Sequence, residues 1–377
     1  MMIYLDNAAT TWPKPESVYR AVYDCMKNYG ANPGRSGHKM AMKAAQEIYE
    51  CRELAADFFG LSNAENVVFT QNATHGLNIV IKGVLCPGDH VICTAMDHNS
   101  ILRTVYSMRE DVEYTIINAD RTGQIDVSYL ETLIKPNTKL VAMTHVSNVC
   151  GTILPVKKVS QICKKHNILF LLDASQSAGI LDIDMELDNI DYLSAPGHKA
   201  LYGPMGTGLL LVNSSVIPKP LYVGGTGSNS ADLSQPESLP DRLESGTLNL
   251  PGICGLGKGI EFIFQIGTEN IRRSEQEMTS FLIDGLSEMK NFKIAGLGKG
   301  EQRTGVVSFY HTKKDCVEIS EYLNSEYDIA TRSMYHCAYL AHKALGTDEK
   351  GTVRASIGYF NKLSDVKTLL YALGKID

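Results

Sequence analysis

Phe170-Leu-Leu-Asp-Ala-Ser-Gln-Ser177 reads as an apolar strand that ends in an acid, Asp173, and passes at once into small polar residues. A short run that is apolar throughout, rather than alternating, fits a strand buried on both faces, as in a parallel sheet covered by helices. The same grammar repeats outward from it. Strands are predicted over 66–70, 90–95, 112–117, 139–145, 168–173 and 208–212. Helical spacing marks 17–28, 41–58, 74–82 and 156–165, and Gly60 closes the second of these. Strands alternating with helices predict an α/β protein with a mainly parallel sheet. Residues 224–242, rich in Gly, Ser, Asp and Pro, read as a long loop. After Pro251 the pattern turns to longer amphipathic helices (255–264, 272–289) with shorter strands (304–310, 352–357), which predicts a smaller α+β domain.

The chain of 377 residues exceeds one typical core, so two domains are expected. Its net charge of −6 supplies no basic footprint for nucleic acid or an anionic membrane surface. No apolar run reaches the ~20 residues of a membrane-spanning helix. The start, Met-Met-Ile-Tyr-Leu-Asp, has no basic residue before Lys14 and does not resemble a signal peptide. Nine cysteines are scattered without a C-x-x-C pair, which argues against zinc and against a disulfide framework. A reducing cytoplasm is the expected compartment, and no metal is expected.

Ser194-Ala-Pro-Gly-His-Lys-Ala-Leu-Tyr-Gly203 places Lys199 in what reads as a small-residue turn, 26 residues after Asp173. A lysine so pinned is poorly solvated and suited to lose its proton and form a Schiff base. A Schiff-base lysine and an acid for a pyridinium nitrogen form the minimal signature of a pyridoxal phosphate site. Ligands in such sheets collect beyond the C-terminal strand ends, where the sequence supplies Thr74, His98, Asn148, Asp173 and Gln176. Thr74 opens a helix and reads either as a cap or as a phosphate contact; Asp173 can likewise cap a helix while pairing with a ring nitrogen. Arg354 interrupts an apolar strand pattern, where an unpaired guanidinium is costly, so it should meet an anion such as an α-carboxylate. Cys337 follows His336 and lies five residues after Arg332. It reads as a nucleophile or, like the other eight, as a bland buried thiol.

Taken together, Tyr4-Leu-Asp-Asn-Ala-Ala-Thr-Thr11, Asn72-Ala-Thr-His75, Asp97-His98, His145-Val-Ser-Asn148, Asp173-Ala-Ser-Gln176, Gly197-His-Lys199, Glu244-Ser-Gly-Thr-Leu-Asn249, Arg332 with His336-Cys337, and Val353-Arg-Ala-Ser356 resemble the cysteine desulfurases of the class V aminotransferase group. The resemblance runs the length of the chain. It implies fold type I of the pyridoxal 5'-phosphate enzymes, with a mainly parallel seven-stranded sheet in a large domain, 17–250. A small α+β domain, 1–16 with 251–377, would carry the Cys337 loop and Arg354. It implies that Lys199 binds the cofactor covalently and takes the Cα proton, that Asp173 pairs with the pyridine nitrogen, and that His98 stacks on the ring. Ala73, Thr74, His75 and His198 would cradle the phosphate, with Gln176 and Asn148 near the phenolic oxygen. Thr247 would reach the phosphate of the partner subunit in a homodimer with composite sites. Arg354, with Asn148, Arg332 and Asn7, would hold the substrate carboxylate. Cys337 would take sulfur from L-cysteine as a persulfide and pass it to an acceptor protein or thiol, as in sulfur mobilisation for iron–sulfur clusters. Selenocysteine lyase, C–S lyase, transaminase and epimerase chemistry are the alternatives on this scaffold. Many relatives carry serine where this chain has Pro196, which leaves that phosphate contact to Ser194 or to backbone N–H groups.

Overall fold

The computed structural model describes residues 2–33, 37–228, 231–300 and 302–376. Its strands, in chain order, are β1 (Ile3–Tyr4), β2 (Val67–Thr70), β3 (His90–Thr94), β4 (Glu113–Ile117), β5 (Thr138–Thr144), β6 (Leu169–Asp173), β7 (Tyr192–Pro196), β8 (Gly208–Val212), β9 (Phe292–Ala295), β10 (Val306–His311), β11 (Ile329–Ala330), β12 (Arg332–Met334) and β13 (Thr352–Ser356). Seven of them form the main sheet in the order β2-β8-β7-β6-β5-β3-β4. Only β8 runs antiparallel to its neighbours β2 and β7. The remaining pairs are parallel, as the unbroken apolar strands require.

Alternation places successive residues of each strand in different cores. In β8, Leu209 and Leu211 enter one apolar cluster while Leu210 and Val212 enter another, on the opposite face. All four are fully buried, and each such side chain contributes about 2 kcal/mol. A third cluster gathers Leu5 with residues from Met278 to Leu373 around the antiparallel sheet β12-β13-β10-β9. The chain start joins this part of the molecule, because β1 pairs in parallel with β11.

Most boundaries fall within two residues of those read from the sequence. The first helix is Glu16–Asp24 and continues as a π turn, Cys25–Tyr29. The helix expected from residue 255 begins at Leu250, because Asn249 caps it by accepting the Gly252 N–H at 3.1 Å and Pro251 suits a first turn. Among its described residues, 224–242 holds no helix or strand.

The reading of 194–203 as a turn needs correction. Its first three residues finish β7, and the turn proper is 197–203. Gly203 N–H closes it on Gly197 O at 2.8 Å, and Tyr202 takes a left-handed φ of 56°. Gly197 is obligatory, since a Cβ there would stand 2.1 Å from Thr207 Oγ1. Lys199 is thereby held at the end of a fully buried strand.

Candidate active site

The C-terminal ends of β2, β3, β5, β6 and β7 open into one cavity of about 170 Å³. Thr74, His98, Asn148, Asp173, Gln176, His198 and Lys199 all line it. Pro196 is in the wall as well.

His98 is positioned by a residue whose role the sequence leaves unassigned. Asp97, fully buried, accepts the Thr94 N–H at 2.6 Å and the Thr144 N–H at 2.7 Å, tying the ends of β3 and β5 together. Burial pushes its carboxyl up to about 7. His98 then caps helix Asn99–Ser107, its Nδ1 accepting the Ser100 N–H at 3.1 Å. An accepting Nδ1 leaves the ring proton on Nε2. Burial, opposed by Asp173 and aided by Lys199, drives the imidazole down to about 4, so it is neutral at pH 7. Ser100 also meets Thr74 Oγ1 at 2.7 Å, joining two helix starts.

Asp173 is buried and accepts the Ser175 N–H at 2.9 Å. Lys199 is lowered to about 8, chiefly by burial, with Asp173 opposing and Arg354 and Arg332 assisting. Burial thus disfavours the charged form of the amine. Gln176 Nε2 donates to Ala8 O at 3.0 Å, fastening the N-terminal segment across the site.

At the cavity's other end, Ala73 and Thr74 begin helix Ala73–Val84, where free N–H groups gather. The His75 N–H is taken by the Asn72 side chain at 2.9 Å, and His75 does not line the cavity. Its Nε2 is nevertheless buried without a partner among the described residues, as is His198 Nδ1. Ser194 faces away and donates to Ala73 O at 3.1 Å, so it supports the helix start instead of standing in for the residue at 196.

Cys337, Arg332 and Arg354 do not line this cavity; its wall residue Asn148 links to their segment, donating to His336 O and accepting from Arg354 Nη1. Cys337 is exposed, as is Cys86; the other seven cysteines are buried. Arg332 Nη2 lies 3.7 Å from Cys337 Sγ. The loop is unusual: Met334, His336 and Cys337 all have φ between 49° and 78°. It is held by Asn148 Nδ2, which donates to His336 O at 2.7 Å, and by the Asn99 N–H, which donates to Cys337 O at 2.9 Å.

The anion that Arg354 meets is Asp6, at 2.8 Å. Asn7 spends its amide inside the protein, Nδ2 on Ser356 O at 3.0 Å and Oδ1 on the Trp12 N–H at 3.3 Å, and lines a smaller adjoining cavity of about 20 Å³. Thr247 is exposed and lies in a separate cavity beside the buried Arg52–Glu244 ion pair. Ser100, Asp97 and Asp6 are the site residues that sequence reasoning left without a role. Position relative to His98 and membership of the Leu-Asp-Asn run were the available signals.

The Aminotransferase class-V family model matches residues 3–369. This chain belongs to that family. A "Probable cysteine desulfurase" of Methanothermobacter thermautotrophicus is 34% identical over 383 residues, covering 99% of this chain and 94% of the relative. A "Cysteine desulfurase" of Haloferax volcanii is 30% identical, covering 99% and 88%. Among solved structures, an apo cysteine desulfurase from Thermococcus onnurineus has a TM-score of 0.93 at 33% identity, covering 100% of this chain and 94% of that one. Class V aminotransferases use pyridoxal 5'-phosphate. The residues present fit that group. An amine on Lys199, a buried acid on Asp173, a helix start and two orphaned imidazole nitrogens match its aldehyde, ring nitrogen and phosphate.

Proposed function

We propose that this class V chain is a pyridoxal 5'-phosphate-dependent cysteine desulfurase, which converts L-cysteine to L-alanine and receives the sulfur on Cys337. The observation that carries the reading is the seating of Cys337. An exposed cysteine with Arg332 at 3.7 Å is fastened through its own carbonyl to the helix that His98 caps. A transaminase or epimerase has no use for such a thiol.

When bound, the cofactor supplies an electron sink for the pair released at the substrate's Cα. Lys199, poised near pH 8, would hold it and then serve as the base at Cα. Asp173 would pair with its ring nitrogen, and neutral His98 would cover its face. Ala73, Thr74, His75 and His198 would hold the phosphate, with Gln176 and Asn148 beside the phenolic oxygen. Arg354, with Arg332 and Asn148, would orient the α-carboxylate, while Asn7 keeps the N-terminal segment in place. Cys337 Sγ would attack the substrate sulfur. The S–S bond forms as the Cβ–S bond breaks, the bonding pair stays on the three-carbon fragment, and a persulfide remains on Cys337.

We further propose a large domain around the seven-stranded sheet and a small domain around β9, β10, β12 and β13. The assembly would be a homodimer in which Thr247 serves the partner's site. A thiol or acceptor protein would collect the sulfur in a cytoplasmic setting, for cluster assembly among other uses. Nine free cysteines favour a reducing compartment, and among the described residues no helix is long and apolar enough to cross a membrane.

The test is L-cysteine turnover by the holoenzyme with a reductant, assaying alanine and sulfide. Cys337→Ala should keep the cofactor's absorbance and lose sulfide release. Sulfide release that persists in that variant would mean a lyase.

A further inference from the structure

Arg354 and Arg332 occupy directly opposed positions of the antiparallel pair β12–β13, so both side chains project from the same face. Like charges at that spacing repel. Arg354 is also 1% exposed, and a guanidinium that deep needs a counterion before any substrate arrives.

The chain supplies one. Asp6 Oδ1 accepts from Arg354 Nη2 at 2.8 Å, while Arg354 Nη1 donates to Asn148 O at 3.0 Å. Among the described residues Arg354 Nε is buried without a partner, so the guanidinium retains capacity for a second anion. Asp6 is not a chance neighbour. The residues on either side of it are clamped to β13: Ser356 N–H donates to Leu5 O at 2.7 Å and Asn7 N–H donates to Ser356 O at 3.4 Å. The Ala9 N–H, donating to Asp6 O at 3.0 Å, closes a turn behind it. Its carboxylate is thus fixed over an arginine 348 positions away in sequence.

We propose that Asp6 is a positioning residue that serves as the resting counterion of the Arg354–Arg332 site and limits that site to one further negative charge. This rests on the reading of Arg354 as the holder of the substrate carboxylate. Two guanidiniums and one carboxylate leave a net charge of +1, which a single α-carboxylate neutralises. An anion carrying two charges would overfill it.

The test uses holoenzyme, whose phosphate site is filled, and inorganic sulfate as a probe dianion, read as a sulfate-dependent rise in thermal midpoint and by direct calorimetric titration. Asp6→Asn should bind sulfate at least about tenfold tighter than the parent protein. Asp6→Glu, which keeps the charge, should stay within about threefold of the parent. In the double variant Asp6→Asn/Arg354→Gln the added affinity should disappear. Sulfate binding that is unchanged or weaker in Asp6→Asn overturns the proposal, as does tight binding that survives the loss of Arg354. A purely structural Asp6 would lower stability without any gain in anion affinity. Because the titration needs no turnover, a protein that failed to desulfurate cysteine would defeat the functional reading and leave this measurement standing.

Discussion

The Asn99 N–H donates to Cys337 O at 2.9 Å. Residue 99 begins the helix that His98 caps, so the cysteine loop is tied to the element that seats the imidazole. Asn148 adds a second tether, through His336 O at 2.7 Å. Both tethers hold backbone in the left-handed region, which non-glycine residues occupy only when the surroundings insist.

Removing the second tether should therefore uncouple the thiol from the site. Asn148→Ala is expected to lower kcat for sulfide release about 10- to 100-fold, because a misplaced nucleophile loses its near-attack geometry. Hydrogen exchange at residues 334–338 should quicken in the same variant while the cofactor absorbance is retained. Unchanged exchange would mean that the Asn99 contact suffices.

Lys199 yields a pH prediction. Its amine is lowered from the ordinary 10.5 to about 8, so the neutral, reactive form dominates above pH 8. Capture of added pyridoxal phosphate by the apo protein should accelerate as pH rises toward 8 and then level off. An unperturbed lysine would keep accelerating to 10.5. Asp173 opposes the shift, so Asp173→Asn should move the plateau to lower pH. Stopped-flow absorbance across pH 6–10 reads both.

Glu275 carries the stability prediction. It is fully buried in helix Thr268–Glu288, its Oε2 lacks a partner among the described residues, and burial raises it from 4.5 to about 8. An acid whose folded value is raised contributes its full stability below the unfolded value and loses it as pH climbs through the folded one. The protein should thus weaken between pH 4.5 and about 8 on this account. Glu275→Gln removes the proton linkage. It should raise the thermal midpoint by about 3–5 °C at pH 8.5 and change it little at pH 5. Parallel melting curves that keep the same gap at both pH values would exclude the linkage.

The sequence was legible where physics is local. The apolar run ending at Asp173, the pinned lysine and the alternation of helix and strand follow from neighbours along the chain. Strand β7 was hidden because Ser194-Ala-Pro196 has turn-like composition, and its strand character comes from partners on both sides. The two-residue strands β1 and β11 are too short for any period. Asp6 gave no sign of its partner, since the Arg354 contact depends on how β13 meets the chain start. Glu275 sits in a helix whose polar residues read as solvent-facing, and only the tertiary fold buries it.

The proposed homodimer is tested most directly at Thr247. It is exposed, outside the cavity of its own chain, and its loop is anchored by Glu244, which pairs in the interior with Arg52 at 2.8 Å. Exposed Tyr19, Tyr23, Met26, Met42, Tyr49, Tyr222 and Val223 add apolar surface of a kind that association covers. If each site takes Lys199 from one chain and Thr247 from the other, two crippled chains can repair each other. Lys199→Ala homodimers should be inactive, and Thr247→Ala homodimers should hold the cofactor several-fold more weakly. In a hybrid, one site collects both defects and the other collects neither. Mixing the unfolded variants and refolding them together should therefore restore one site of parental affinity and rate per hybrid dimer. A mixture no better than the sum of its parts would assign Thr247 to its own chain.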